Sequence, residues 1–188
     1  SSGELVALRQ ENGRVLWTDS LATTRRLDEL ATLAQIHAAP VIDRGGVFAI
    51  SYGGVIAAID LRSGSRVWEQ DLGGLIRPWL AGNFIYQLTK DNELICLSRN
   101  DGRVYWVTTL PAYENQKKQE DPILWAGPVL AGGRLIVVSS TGRMLSVSPY
   151  DGSIIDREQL RQGAAVAPIV VDETLYVLET DATLVAYR

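Results

Sequence analysis

The sequence predicts an all-β fold, a β-propeller of four-stranded antiparallel blades, and three observations predict it. A proline, a small residue, a glycine and a tryptophan recur at constant spacings of 18, 6 and 4 residues. Short runs rich in β-branched and aromatic residues alternate with turns rich in Gly, Asn and Asp. Successive repeats lie 38 to 51 residues apart, and a repeat of that length holding four strands is typical of a propeller blade.

The repeat divides the chain into three complete units between two partial ones. The complete units hold Pro40, Ala58, Gly64 and Trp68; Pro78, Cys96, Gly102 and Trp106; and Pro128, Ser146, Gly152 and Asp156. The first unit has only Ala7, Gly13 and Trp17, and the last only Pro168 and Ala186. We therefore expect one partial propeller over residues 1–188, with blade pieces at 1–21, 38–72, 76–110, 126–160 and 165–188.

Each landmark has a physical role that follows from its residue type. The glycines stand in hairpin turns that favour positive φ, at Gly13, Gly64, Gly102 and Gly152. The tryptophans, at positions 17, 68 and 106, are expected to be buried plugs between blades. Cys96 stands at the small-residue position and is interpreted as a buried substitute for alanine. Asp156 replaces the tryptophan, which predicts a more loosely sealed fourth blade.

Two long connections between blades, 22–37 and 111–125, are the expected places of function, because insertions in repeat proteins map to loops on one face. In the first, Leu27, Leu30 and Leu33 are three residues apart, as in a short amphipathic helix. The second is polar and predicted to be a loop. Apolar anchors beside charges suit a protein interface, whereas packing of Leu27 and Leu30 on the adjacent blade is the alternative. The partner-binding hypothesis takes in Arg25, Arg26, Leu27, Asp28, Leu30, Gln35, His37 and Arg77.

Composition excludes several classes of function. The net charge is −4, which argues against a nucleic-acid partner. Cys96 is the only cysteine and His37 the only histidine, so no internal disulfide and no cysteine or histidine metal cluster is expected. The sequence contains no apolar run of membrane-spanning length. It starts directly in a strand-like segment, so we expect a truncated or processed chain whose targeting signal lies upstream.

The segment Ala58-Ile-Asp-Leu-Arg-Ser-Gly-Ser-Arg-Val-Trp68 resembles the repeats of the PQQ-type (quinoprotein-like) propellers. With residues 39–54, Gly82–Tyr86, Gly102–Trp106 and the final Leu184–Arg188, it resembles in particular the propeller lipoproteins of the outer-membrane β-barrel assembly machinery. The segment Arg26-Leu27-Asp28 before Pro40 sharpens this resemblance. It covers essentially the whole chain.

The resemblance implies an eight-bladed ring, of which this chain supplies about four blades, the C-terminal half. It implies a periplasmic protein at the outer membrane of a Gram-negative bacterium, held there by an upstream lipid anchor or by the complex. The expected partners are the periplasmic domains of the barrel-insertion subunit and nascent outer-membrane proteins. Neither enzymatic activity nor a cofactor is expected. Acidic residues expected from this family just before the blade proline are replaced by Gln35 and His37.

Two other classes of function stay open at this stage. A quinoprotein dehydrogenase needs a quinone, carboxylate-held Ca²⁺ and a general-base aspartate, and five turn aspartates are available, namely Asp60, Asp71, Asp91, Asp101 and Asp151. A sensor or carbohydrate-binding propeller would show aromatic residues at loop tips, for which Trp79 and Trp125 are the candidates, with packing at the blade edge as the alternative. Since the chain starts and ends inside blades, we also expect it not to close into a ring by itself.

Overall fold

The computed structural model describes residues 3–21 and 36–188, and it groups them into two compact units. The first unit takes in the described parts of Ser1–Pro78 together with Ser98–Arg103, and the second takes in Trp79–Leu97 and Val104–Arg188. Every regular element in these residues is a β-strand, and every sheet is antiparallel. The expected all-β fold of four-stranded blades is therefore confirmed.

The first unit contains a two-stranded and a four-stranded sheet. The two-stranded sheet pairs β1 (Glu4–Leu8) with β2 (Val15–Ser20). The four-stranded sheet has the order β3 (Val41–Asp43), β4 (Gly46–Ile50), β5 (Ile56–Asp60), β6 (Arg66–Gln70). Sequential neighbours pair in order, because tight turns join each strand to the next.

The second unit contains two four-stranded sheets, a three-stranded sheet and a hairpin. The four-stranded sheets are β7 (Trp79–Ala81), β8 (Phe84–Leu88), β9 (Glu93–Ser98), β10 (Val104–Thr109), and β13 (Trp125–Ala131), β14 (Arg134–Ser139), β15 (Arg143–Val147), β16 (Ile154–Gln159). The hairpin is β11 (Tyr113–Asn115) with β12 (Glu120–Pro122). The three-stranded sheet is β17 (Ile169–Val171), β18 (Thr174–Leu178), β19 (Leu184–Tyr187).

The middle strands of each blade are buried on both faces, and the outermost strands on one. Every residue of β5 except Asp60 is buried, and so is every residue of β9 except Glu93. Half-buried and exposed residues alternate instead along most of the outermost strand β2. A strand covered on both sides needs a continuous apolar run, which the sequence supplies. In the first unit Leu21, Val47 and Ile59 form the core, with Trp17 packed against it.

The connection 111–125 corrects the sequence-based expectation of a polar loop, because it folds into the β11–β12 hairpin. Tyr113 pairs with Pro122, and Asn115 pairs with Glu120. The turn is closed by the Asn115 side-chain oxygen, which accepts a hydrogen bond from the Lys118 N–H at 3.2 Å. Residues 113–122 lack the β-branched side chains that mark a strand, so the hydrogen bonds of the hairpin, which the sequence pattern does not reveal, determine its structure.

A β-bulge recurs in the outermost strand of four blades. In the first, Ala7 pairs with Trp17 but Leu8 pairs with Val15, so Leu16 is an extra residue in the ladder. The same shift makes extra residues of Val67, Tyr105 and Ile155. A bulge re-aims the side chains around it, and these four residues are between 52% and 62% exposed. The bulge thus turns one large apolar side chain outward just before each tryptophan position.

Candidate protein-binding site

Three tryptophans pack in the same way, each on the glycine turn of the blade that follows its own. Each indole N–H donates to the carbonyl oxygen three residues before that glycine. These hydrogen bonds run from Trp17 to Leu61 (2.9 Å), from Trp68 to Arg99 (2.8 Å) and from Trp106 to Pro149 (3.1 Å). The indole rings lie against Gly64, Gly102 and Gly152 respectively. This contact, here called the indole–glycine lock, joins each of these tryptophans to a glycine turn more than 30 residues further along the chain.

Glycine is required in the lock for two reasons. Gly102 has a φ of +70°, a conformation that side chains with a Cβ adopt at a cost. A Cβ at Gly102 would also lie 2.6 Å from the ring of Trp68, well inside van der Waals contact. By contrast, Gly13 has a φ of +69° and no atom near its missing Cβ. Gly13 therefore needs glycine only for its backbone conformation.

The three tryptophans differ in burial, which corrects the expectation that all are buried. Trp68 is 9% exposed, whereas Trp17 and Trp106 are half-buried. The ring centroid of Phe48 lies 6.3 Å from that of Trp68, and Tyr86 lies beside Trp106 in the same way, at 6.0 Å. Phe48 in turn lies under the Arg99 guanidinium, 5.3 Å from the ring centroid, a cation–π arrangement.

Two arginines reinforce the first unit, and the repeat pattern did not point to either. Arg66 binds the Asp19 carboxylate with both nitrogens of its fork, at 2.7 to 3.1 Å, and also pairs with Glu69. Arg99, whose side chain is only 8% exposed, pairs with Asp43. Bidentate and partly buried pairs of this kind are the stronger ones. The position of Arg66 two residues before the repeat tryptophan Trp68 is the sequence feature that could have identified it.

Three of the five aspartates that a dehydrogenase would draw on form turns instead. The Asp60 carboxylate accepts the N–H of Ser63 at 2.8 Å, and this hydrogen bond is the main reason why its pKa is lowered. Asp101 accepts the N–H of Arg103, and Asp151 accepts that of Ser153. Such side-chain hydrogen bonds are what make aspartate a turn former. No cluster of three acidic, histidine or cysteine side chains suited to a metal occurs within residues 3–21 and 36–188.

Cys96 lies on β9 and is 1% exposed, opposite Trp106 in the ladder. Burial raises the pKa of its thiol to about 12. Because the thiolate is the reactive form, we expect iodoacetamide not to label the native protein at pH 8, where the thiol stays protonated. The same reagent should label the urea-unfolded protein, as read by mass spectrometry. Rapid labelling of the folded protein would contradict the burial of this thiol.

Where tryptophan is replaced by Asp156, the side chain is exposed and accepts the N–H of Arg157. No indole is supplied at this position, and a cleft of about 750 Å³ lies between the sheets β13–β16 and β17–β19. Met144 and Ser146 line it on one side, and Leu175 and Tyr187 on the other. The cleft runs along the face on which Ser146, the ladder partner of Asp156, lies.

Only two of the predicted partner-binding residues lie in the described chain. His37 and Arg77 are both exposed, in the connections that lead into the first strands of two successive blades. Each is followed closely by a buried residue, Ala38 and Pro78 respectively. Arg25, Arg26, Leu27, Asp28, Leu30 and Gln35, together with the expected helix, lie outside the described residues. His37 and Arg77 therefore occupy the end of the first unit where the inter-blade connections are found.

The two tryptophans considered for ligand binding are not at loop tips. Trp125 is 7% exposed, and its indole N–H donates to the Pro111 carbonyl oxygen at 2.8 Å. Trp79 is half-buried at the start of β7. Both contribute to the packing of the blades. In the chain as described, no helix is long and apolar enough to cross a membrane.

Comparison with known proteins identifies a family and sequence relatives of this chain. The family model described as outer membrane protein assembly factor BamB matches residues 1–108 and 114–188. The protein of that name from Alkalilimnicola ehrlichii is 26% identical over 188 residues, which are all of this chain and 47% of that protein. The chain thus spans about half the length of the curated relatives it matches.

Solved structures share the fold. The crystal structure of BamB from Moraxella catarrhalis superposes with a TM-score of 0.82 at 19% identity, over 98% of this chain and 53% of that one. A quinohemoprotein alcohol dehydrogenase from Comamonas testosteroni reaches 0.60 at 17% identity, over 76% of this chain and 29% of that one. Both likenesses show the propeller fold.

Proposed function

This chain belongs to the family of the outer membrane protein assembly factor BamB, and on that premise we propose that it is a non-enzymatic scaffold that binds proteins during outer-membrane β-barrel assembly. The observation that carries the proposal is the match of the BamB family model on both sides of residues 109–113. The proposal places the protein in the periplasm, associated with the outer membrane. Its partners would be the periplasmic domains of the barrel-insertion subunit and the nascent outer-membrane proteins.

The structure supports a scaffold through the way it presents its connections. The indole–glycine locks and the Arg66–Asp19 pair join residues that are far apart in the chain. Connections carried on rigid blades can bind a partner without a large loss of conformational entropy. His37 and Arg77 provide exposed polar groups on two such connections. From the sequence pattern alone, the proposed binding residues also include the charged Arg25, Arg26 and Asp28 and the apolar Leu27 and Leu30.

We test the proposal with binding of the protein to immobilised periplasmic domains of the barrel-insertion subunit. The double variant Arg77→Glu, His37→Asp is expected to bind at least about tenfold more weakly, because charges at an interface set specificity and dissociation. The double variant Arg26→Glu, Asp28→Arg should weaken binding similarly. The Arg77, His37 variant should leave the melting temperature nearly unchanged, because both side chains are exposed and surface substitutions have small effects on stability. We expect the same of the Arg26, Asp28 variant where this segment binds the partner.

The matched control is Arg103→Glu, an exposed charge reversal in the β9–β10 turn, at the opposite strand ends from the inter-blade connections. It should bind as the unaltered protein does. Equal binding by all variants would remove this surface from the interface. A complete lack of binding by the unaltered protein would refute the proposed partner. A large drop in melting temperature for the Arg26, Asp28 variant would favour a packing role for that segment.

A further inference from the structure

A groove of about 440 Å³ lies beside the outermost strand of the β13–β16 sheet. Its apolar wall is formed by Pro111, Trp125, Leu145 and Ile154, and its rim carries Arg143 and Arg157. We call it the β16 groove. It lies wholly within the second unit. Its volume is in the range of ligand-binding clefts, and it is large enough for one bulky apolar side chain.

The wall of the β16 groove is preorganised. Trp125 and Leu145 are 7% and 4% exposed, so neither can move freely. The indole N–H of Trp125 is held by the Pro111 carbonyl oxygen. The ion pair between Arg143 and Glu114 ties the β11–β12 hairpin to the same rim. A rigid, apolar wall lowers the entropic cost of binding.

The rim has one cation available to a ligand. Arg143 already has a carboxylate partner in Glu114. Arg157 is exposed, and its guanidinium makes no ion pair or hydrogen bond with any residue among 3–21 and 36–188. Its strand neighbour Glu158 stands opposite Met144, whereas Arg157 stands opposite Leu145. Glu158 also lines the groove. Since side chains alternate between the faces of a strand, its carboxylate is directed to the other face, toward Tyr187 in the neighbouring cleft.

We propose that the β16 groove binds a short peptide segment of a partner protein in which a bulky apolar residue stands next to an acidic one. The apolar side chain would fill the space against Trp125 and Leu145, and the carboxylate would pair with Arg157. Charge complementarity favours an acidic partner, because Arg157, the rim cation without an ion pair among residues 3–21 and 36–188, carries a guanidinium, which matches a carboxylate fork. The inference rests on the proposed role as a protein-binding scaffold, and it assigns a second surface distinct from His37 and Arg77.

The test is fluorescence anisotropy of the purified protein with a fluorescein-labelled peptide, Gly-Ser-Gly-Leu-Asp-Phe-Gly-Ser-Gly. The matched peptide has Asn in place of Asp, so it keeps the shape and loses the charge. We expect the Asp peptide to bind at least about tenfold more tightly than the Asn peptide, and the difference to shrink in high salt. Arg157→Glu should abolish that preference. Arg103→Glu, the control charge reversal, should leave it intact.

Three results would overturn the assignment: equal affinities for the two peptides, no binding of either at about 1 mM, or an unchanged preference in Arg157→Glu. Because Arg157 is exposed, Arg157→Glu should have the same melting temperature as the unaltered protein. That measurement shows that a loss of peptide binding is not caused by misfolding. Ile154→Asp serves as a second variant and should weaken both peptides. A lack of peptide binding would not change the result of the binding assay with the barrel-insertion subunit. The two proposals can therefore be refuted independently.

Discussion

Trp68→Ala is expected to lower the free energy of unfolding by about 3–5 kcal/mol, as large-to-small changes at buried positions do. The side chain is 9% exposed, it packs on Gly102 and Phe48, and its indole N–H donates to the Arg99 carbonyl oxygen. Alanine would leave a void between two blades and an unfilled acceptor. Urea unfolding followed by circular dichroism measures the loss without relying on tryptophan fluorescence.

The control for this variant is Val67→Ala, one residue earlier on the same strand. Val67 is 60% exposed at the bulge, so its truncation should change stability by no more than about 0.5 kcal/mol. A loss below about 1 kcal/mol for Trp68→Ala would show that the indole–glycine lock does not hold the blades. The half-buried Trp106 should give a loss between these two values when it is replaced by alanine.

Gly102→Ala should destabilise the protein by about 2–5 kcal/mol, the sum of two penalties. A left-handed backbone costs a residue with a Cβ about 1–2 kcal/mol, and forcing a methyl group into a packed contact costs about 1–3 kcal/mol. The contact is with Trp68, and the φ is +70°. The measurement is the urea midpoint at constant m-value.

Gly13→Ala separates the two penalties, because its φ of +69° is almost the same and its Cβ would meet no atom. It should lose only the backbone part, about 1–2 kcal/mol. The difference between the two variants then measures the steric part of the lock. Equal losses would mean that Trp68 moves aside freely, and the close packing seen here would not resist substitution.

The blade architecture could be predicted because its cause is local and repeated. A proline 18 residues before a small residue, then a glycine and a tryptophan, specifies where each strand begins and turns. The positive φ of Gly64 and Gly152 also follows from their place in hairpin turns. The blades could therefore be predicted from the residue spacing, because each turn depends on residues that are close in the chain.

The contacts that join distant residues could not be predicted in this way. Arg66 reaches Asp19 across 47 positions, and Arg99 reaches Asp43 across 56. No periodic signal links such pairs. The stacking of the Arg99 guanidinium over Phe48, beside Trp68, also joins residues far apart in the chain. The β11–β12 hairpin depends on side-chain hydrogen bonds of Asn115 and Gln116, which also occur in loops. Arg157 can be recognised as a candidate binding residue only from the structure, which places it on the groove rim beside Arg143.

The recurring bulge has a consequence for how this protein avoids self-association. Each blade ends in a strand with one open edge, and an open edge that runs straight can recruit a strand from another molecule and grow into a fibre. The extra residue at Leu16, Val67, Tyr105 and Ile155 breaks the spacing of the backbone donors and acceptors near the start of that edge. A strand from a second copy could form only a few backbone hydrogen bonds before the register between the two strands is lost. The blades can therefore display large apolar side chains at their rims and still resist polymerisation.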